Sequence, residues 1–197
     1  VNNIQQSASL FLVKNIFSFL LSLVSIIFVF TYPLGPSQIS LISMFTIGIP
    51  GFFLSLQPNK NVIKGHFLQN VLLKALPAGL TDVLVVAALA IFSQTFGVGG
   101  EDLSTAATML LAIVGFMILF KICKPLNPLR LAICISCIIG FLASCILFPG
   151  LFGISSMSTK CVMLFVVFSI ATEPILRYLT KLNEWIQKLY GNRDLYK

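Results

Sequence analysis

The sequence predicts an all-α, polytopic membrane protein with six transmembrane helices and both termini in the cytoplasm. Three observations predict it. First, only 10% of the 197 residues are charged, while 57% are hydrophobic and 18 are Phe. A soluble domain of this length carries roughly 25% charged residues. Thirteen basic and six acidic side chains cannot coat the surface of such a globule, and mean hydropathy is +0.99. Second, the charges leave long gaps, with none between Lys14 and Lys60 and none between Arg130 and Lys160. Each gap accommodates one or two helices of about 20 residues. Third, turn-forming residues punctuate the apolar runs at intervals that suit membrane spans. Together these exclude a soluble globule, a disordered chain, a collagen-like chain and a nucleic-acid-binding module, despite a net charge of +7.

The first span is expected at about Ser7–Thr31 and ends at Tyr32-Pro33-Leu34-Gly35-Pro36. The second, about Gln38–Gln57, ends at Pro58-Asn59. The third, about Leu68–Phe92, ends before Gly97-Val98-Gly99-Gly100. The fourth, about Ser104–Phe120, precedes Pro125 and Pro128. The fifth, about Leu129–Phe148, stops at Pro149-Gly150, and the sixth covers about Lys160–Leu179. Transmembrane β-strands would be about 10 residues long with alternating polarity; these runs are too long and too evenly apolar.

Basic residues orient the spans. Lys60, Lys64, Lys74, Lys121, Lys124, Arg130, Arg177, Lys181, Lys188, Arg193 and Lys197 fall on one side, and Lys160 falls on the other with Glu101 and Asp102. The basic side is cytoplasmic, and an even number of spans brings both termini there. Asn2, Asn3, Gln5 and Gln6 replace the basic start of a signal peptide. The chain does not begin with Met and reads as a piece of a longer protein. It divides into a first helical hairpin with the candidate ion site (1–58), four further transmembrane helices (59–180) and a tail (181–197). In Tyr178–Lys197, Leu179, Leu182, Ile186 and Leu189 recur at helical spacing among charges. Trp185, Tyr178 and Tyr190 are belt aromatics, so the tail is expected to be an interfacial helix.

The first span carries a polar stripe: Lys14, Asn15, Ser18, Ser22 and Ser25 advance by steps that return to one helical side. Such a stripe belongs against the bundle interior or a wet cavity, although Ser and Asn also join helices by simple hydrogen bonding. In the second span, Gly48 and Pro50 interrupt Ser43-Met44-Phe45-Thr46-Ile47-Gly48-Ile49-Pro50-Gly51. Pro has no N–H to donate, and broken membrane helices are tolerated where the freed carbonyls line a cavity. Two acids fall within spans. Asp82 lies mid-way along the third, where it can pair with Lys14 or serve an ion path. Glu173 lies late in the sixth and can do the same, or pair with Arg177 one turn on. Cys134-Ile135-Ser136-Cys137 matches C-x-x-C formally, but the five cysteines (Cys123, Cys134, Cys137, Cys145 and Cys161) are read as small hydrophobes. His66 falls in a basic cytoplasmic loop. The sequence has no phosphate-binding, zinc-protease or nucleophile-elbow motif.

Val1-Asn2-Asn3-Ile4-Gln5-Gln6, the span with Asn15, the short Pro-containing loop, Gln38-Ile39-Ser40-Leu41-Ile42 and Gly48-Ile49-Pro50 resemble P-type cation-transporting ATPases. The segment Phe52-Phe53-Leu54-Ser55-Leu56-Gln57-Pro58-Asn59 resembles the exit of that family's sixth helix. The resemblance makes the chain the carboxy-terminal transmembrane region, helices five to ten, closest to the bacterial branch of CtpE-like calcium or other cation pumps. It is specific over Val1–Pro58 and topological beyond. Carried over by position, the family's fifth-helix Asn and Glu ligands fall on Asn15 and Ser18. Its sixth-helix Asn, Thr and Asp ligands fall on Ser43, Thr46 and Ile47. Only Asn15 and Thr46 keep their type, and Ser104–Phe120 offers no counterpart of the eighth-helix Glu of the animal reticulum calcium pumps.

The resemblance implies one cation, held by backbone carbonyls, Asn15, Thr46 and groups on helices outside this chain, with Ser18 and Ser43 as neighbouring candidates. It implies Lys14 as a built-in counter-charge. It further implies a cell-membrane, multi-pass location in bacteria and N-terminal pump domains of the same protein as partners, alongside the lipid bilayer and the transported cation. No catalytic residue, no cofactor and no nucleic-acid partner is expected of this chain; ATP and Mg belong to the cytoplasmic domains. Two other readings stay open: a self-contained six-helix secondary transporter or channel using Lys14, Asp82 and Glu173, and a non-transporting scaffold subunit.

Overall fold

The computed structural model describes residues 2–56, 67–124 and 127–191. The second span's exit at Gln57–Asn59, along with Val1, Lys60, Lys64, His66, Pro125, Arg193 and Lys197, lies outside the described residues. The chain is all-helical there: α1 (Asn2–Ile27), α2 (Pro36–Ser43), a π-helical turn (Met44–Gly48), α3 (Ile49–Ser55), α4 (Phe67–Phe96), α5 (Gly100–Ile122), α6 (Pro128–Leu147), α7 (Pro149–Phe152) and α8 (Thr159–Gly191). Among the described residues, six stretches are long and apolar enough to cross a membrane. Each coincides with an expected span, and the protein is a multi-pass membrane protein.

α4 is the central post. It packs along α1 on one side and against α5 and α8 on others, and its Ala75–Phe96 stretch is the most enclosed of the spans. Small residues permit this approach: Ala75, Ala78, Ala87 and Ala90 are all buried. The perimeter is large and apolar, with Ile26, Ile146, Leu147 and Ile170 exposed where lipid solvates them.

Polar clasps hold the ends of the helices opposite the basic one. Gln38 is buried, and its Oε1 accepts from the Gly35 N–H (2.8 Å) and the Ser104 hydroxyl (2.6 Å). Its Nε2 donates to the Gly153 carbonyl (2.8 Å). One amide therefore ties the start of α2 to α5 and to the turn after α7. A second clasp joins α5 to the segment leading into α8: the Ser155 N–H donates to Thr105 Oγ1 (3.0 Å) and the Ser158 N–H to Asp102 Oδ2 (3.0 Å).

Two details add to the expected elements. α8 runs without interruption from Thr159 to Gly191, through Pro174, so its described tail is a continuation of the sixth span. A turn of helix, α7, also follows Pro149, closed by Gly153 at φ +62°. That left-handed conformation suits glycine.

Candidate cation site

α1 presents Leu10, Val13, Phe17 and Leu21 as its buried seam, spaced by three and four residues. Lys14 and Ser18 are each one residue beyond a seam position. They therefore border the interior, half-buried, and both line a cavity of about 50 Å³. Asn15 sits roughly opposite Val13 around the helix and is exposed. The stripe is thus divided. Ser22 and Ser25 donate to the Ser18 and Ser22 carbonyls of their own helix (both 2.8 Å).

The facing wall comes from the second span, where the expected break takes a specific form. The helix does not unwind; it widens into the π-turn Met44–Gly48, in which the Ile49 N–H reaches back five residues to the Met44 carbonyl. Pro50 explains the location, since a residue without an N–H cannot close the preceding α-turn. Gly48 is exposed and Pro50 buried, and neither lines the cavity.

Ser43 and Thr46, both hydroxyl-bearing, line the cavity. Each spends its proton on its own helix, Ser43 Oγ on the Ile39 carbonyl (2.6 Å) and Thr46 Oγ1 on the Ile42 carbonyl (2.8 Å). What remains on each oxygen is acceptor capacity, the form in which a hydroxyl ligates a cation. Thr46 packs against α5, where a Cβ on Gly115, which also lines the cavity, would lie 2.7 Å from Thr46 Cγ2. A Cβ on Gly140 of α6 would lie 2.5 Å from a Phe45 ring carbon. The π-turn is therefore gripped between two glycines, with no room for a methyl group at either.

α4 completes the ring with Asp82, which is buried and lines the same cavity. Its Oδ1 has no hydrogen-bond partner. No Lys14–Asp82 ion pair forms within 4.0 Å; the ion pair among the described residues is Arg177–Glu173 (2.6 Å). That pair lies exposed on α8, so Glu173 takes its surface option and stays away from the cavity. The site therefore gathers Ser18, Ser43, Thr46, Lys14 and Asp82 from three spans, and leaves Asn15 and Glu173 outside. Apolar side chains such as Phe17, Ile47 and Leu111 supply the rest of the wall. The volume suits one ion with a water or two.

The protein named "Probable cation-transporting ATPase exp7" of Streptococcus pneumoniae is 33% identical over 167 residues, covering 81% of this chain and 21% of its own length. The chain is homologous to P-type cation-transporting ATPases. The calcium-transporting ATPase CtpE of Mycobacterium tuberculosis is 32% identical over 147 residues, which are 68% of this chain and 18% of that pump. The CtpE of Mycolicibacterium smegmatis is 40% identical over 90 residues, 41% of this chain and 11% of its own. The chain thus spans about a fifth of the length of these two pumps. No protein-family model matches the chain, and no solved structure matches it.

The cysteines show no sign of chemistry. Cys134 Sγ lies 3.3 Å from Cys123 Sγ as a thiol–thiol contact, and both are buried. Burial, then the Cys134 contact, pushes the Cys123 thiol up to about 12, which keeps it protonated and unreactive near neutrality. Sequence reasoning missed Gln38 as a clasp. Its polarity at the start of an apolar span was the available signal.

Proposed function

We propose that this chain is the membrane-embedded half of an ATP-driven cation pump, its six spans corresponding to helices five to ten, and that it contributes part of the ion-translocation site. The observation that carries the proposal is the cavity in which Ser18, Ser43, Thr46 and Asp82 supply oxygens beside a π-turn. Homology to cation pumps supports the class of cargo. ATP hydrolysis belongs, on this reading, to the four-fifths of the relatives' length that the chain does not span.

The chemistry of loading follows from the donor set. Asp82 is the one carboxylate of the cavity, and a buried carboxylate oxygen without a partner is costly. An entering cation supplies that partner, with Ser43 and Thr46 oxygens completing its shell. Hard divalent ions favour six or more oxygens, so backbone carbonyls, water or other helices of the pump add the remainder. Exposed Asn15 is placed to meet such a neighbouring helix. Lys14, on a flexible four-carbon stem, is the counter-charge: it opposes the bound ion and compensates Asp82 once the ion leaves.

Cation-dependent ATP hydrolysis and ion uptake by the full-length protein in vesicles test this. Thr46→Val and Asp82→Asn are expected to raise the cation concentration at half-maximal rate at least tenfold. Unchanged ion dependence in both variants would overturn the site. Uptake driven by a proton gradient without ATP would replace the pump with a secondary carrier.

A further inference from the structure

A second, larger cavity of about 440 Å³ lies at the basic end of the bundle. Its depth is apolar, walled by Val13, Ala78, Ile118 and Leu176. Its mouth is polar: Lys121 and Lys124 come from the end of α5 and just beyond, and Thr180, Asn183, Glu184 and Gln187 come from α8. Asn183 Nδ2 donates to the Leu73 carbonyl of α4 (2.6 Å), which fixes that wall of the mouth.

The two lysines are not ion-paired among the described residues. Neither has a carboxylate oxygen within 4.0 Å among the described residues; Lys121 makes a long contact of 3.4 Å with Thr180 Oγ1. Lys121 feels the carboxylates of Glu173 and Glu184 together with Lys124 and Arg177; Arg177 is ion-paired with Glu173, so two ammonium groups against Glu184 leave the mouth net positive. The apolar run of α5 ends at Ile122, so both ammonium groups sit where hydrocarbon gives way to headgroups. A positive, hydrogen-bonding mouth above an apolar recess matches a molecule with an anionic phosphate at one end and hydrocarbon at the other. Basic pockets between membrane helices on the cytoplasmic side select such headgroups, and each lysine is worth about a fivefold gain in affinity.

We propose that this cavity binds an anionic phospholipid of the cytoplasmic leaflet, its phosphate held between Lys121 and Lys124 and its glycerol and upper acyl carbons against the apolar wall. The shared chemistry with free phosphate is the phosphate anion; the apolar depth favours the lipid.

Native mass spectrometry of the full-length, delipidated protein in neutral detergent tests this, with dioleoyl phosphatidylglycerol, dioleoyl phosphatidylcholine and inorganic phosphate as probes. The phosphatidylglycerol is expected to bind at least tenfold tighter than the phosphatidylcholine. K124Q should lower its affinity about fivefold and K121Q/K124Q more than tenfold, while K121R/K124R retains it. Exposed Lys188, which does not line the cavity, provides the control: K188Q should leave the affinity unchanged. Equal binding of the two lipids, or a preference that survives K124Q and K121Q/K124Q undiminished, would overturn the proposal. Displacement of the phosphatidylglycerol by inorganic phosphate at equal concentration would overturn the lipid assignment in favour of the free anion. None of these readings depends on transport, so the proposal stands or falls apart from the cation site.

Discussion

Lys14 of α1 and Asp82 of α4 line one cavity, yet no ammonium–carboxylate contact within 4.0 Å joins them. Opposite charges that share a poorly solvated space attract each other even when separated. Each therefore sets the cost of placing a further positive charge between them. Lys14→Gln is expected to tighten cation binding about tenfold and to slow turnover, because release loses its counter-charge. Asp82→Asn should weaken binding by at least as much. Equilibrium binding and steady-state turnover, measured on both single variants and the double variant, check the sign; equal affinities in Lys14→Gln and the parent would remove the counter-charge role.

Thr46 does two jobs that substitution can separate. Its methyl packs on Gly115, and its hydroxyl is the oxygen that it can offer to the cavity it lines. Thr46→Val keeps the packing and removes the oxygen, so thermal stability should change little while ion affinity falls. Gly115→Ala keeps the oxygen but disturbs the packing, placing a carbon 2.7 Å from Thr46 Cγ2. Overpacking of this kind costs about 1–3 kcal/mol, so a lower melting temperature is expected together with weaker binding as Thr46 is displaced. Melting in detergent with and without the cation distinguishes the two patterns.

Gln38 should be among the most sensitive positions outside the site. Gln38→Leu keeps the bulk and strands three groups: the Gly35 N–H, the Ser104 hydroxyl and the Gly153 carbonyl. Each buried group left unpaired costs about 1–3 kcal/mol. A melting temperature lower by several degrees is expected, with cation affinity near that of the parent. An unaltered melting temperature would show that water replaces the clasp.

Cys123 should resist alkylation in the folded protein. Buried, and with its thiol pushed up to about 12, it stays protonated at pH 8. Maleimide labelling followed by peptide mapping should find Cys123 modified only after denaturation. Rapid labelling of the native protein would place the thiol in a more open setting.

The six spans were legible because membrane insertion is decided by length and hydrophobicity, which are local properties. Helical periodicity also separates Lys14 and Ser18 from the buried seam. It does not say that Asn15, one residue on and about 100° around the helix, turns outward, because that depends on which side of α1 meets α4. Asp82 was recognisable as an intramembrane acid, but its place in the cavity of Ser43 and Thr46 is set by packing between spans distant in sequence. Glu173 had two partners available, and the choice of Arg177 follows from which side of α8 faces outward. The Gly48–Pro50 signal marked the right turn of helix; the loss of one N–H was absorbed by a wider turn and required no unwinding.

A π-turn holds one residue more than an α-turn in the same place. Deleting Met44 would allow the second span to close as a regular helix and would remove nothing from the cavity wall. The Leu41–Ser43 face and the buried Pro50, Gly51 and Leu54 would keep their directions, because the closed turn spans the same place with one residue fewer. Only the residues inside the turn, Thr46 among them, would shift. The second span therefore carries its extra residue as local slack: losing one there displaces a single ligand, whereas losing one from a regular span such as α5 would turn one end about 100° against the other.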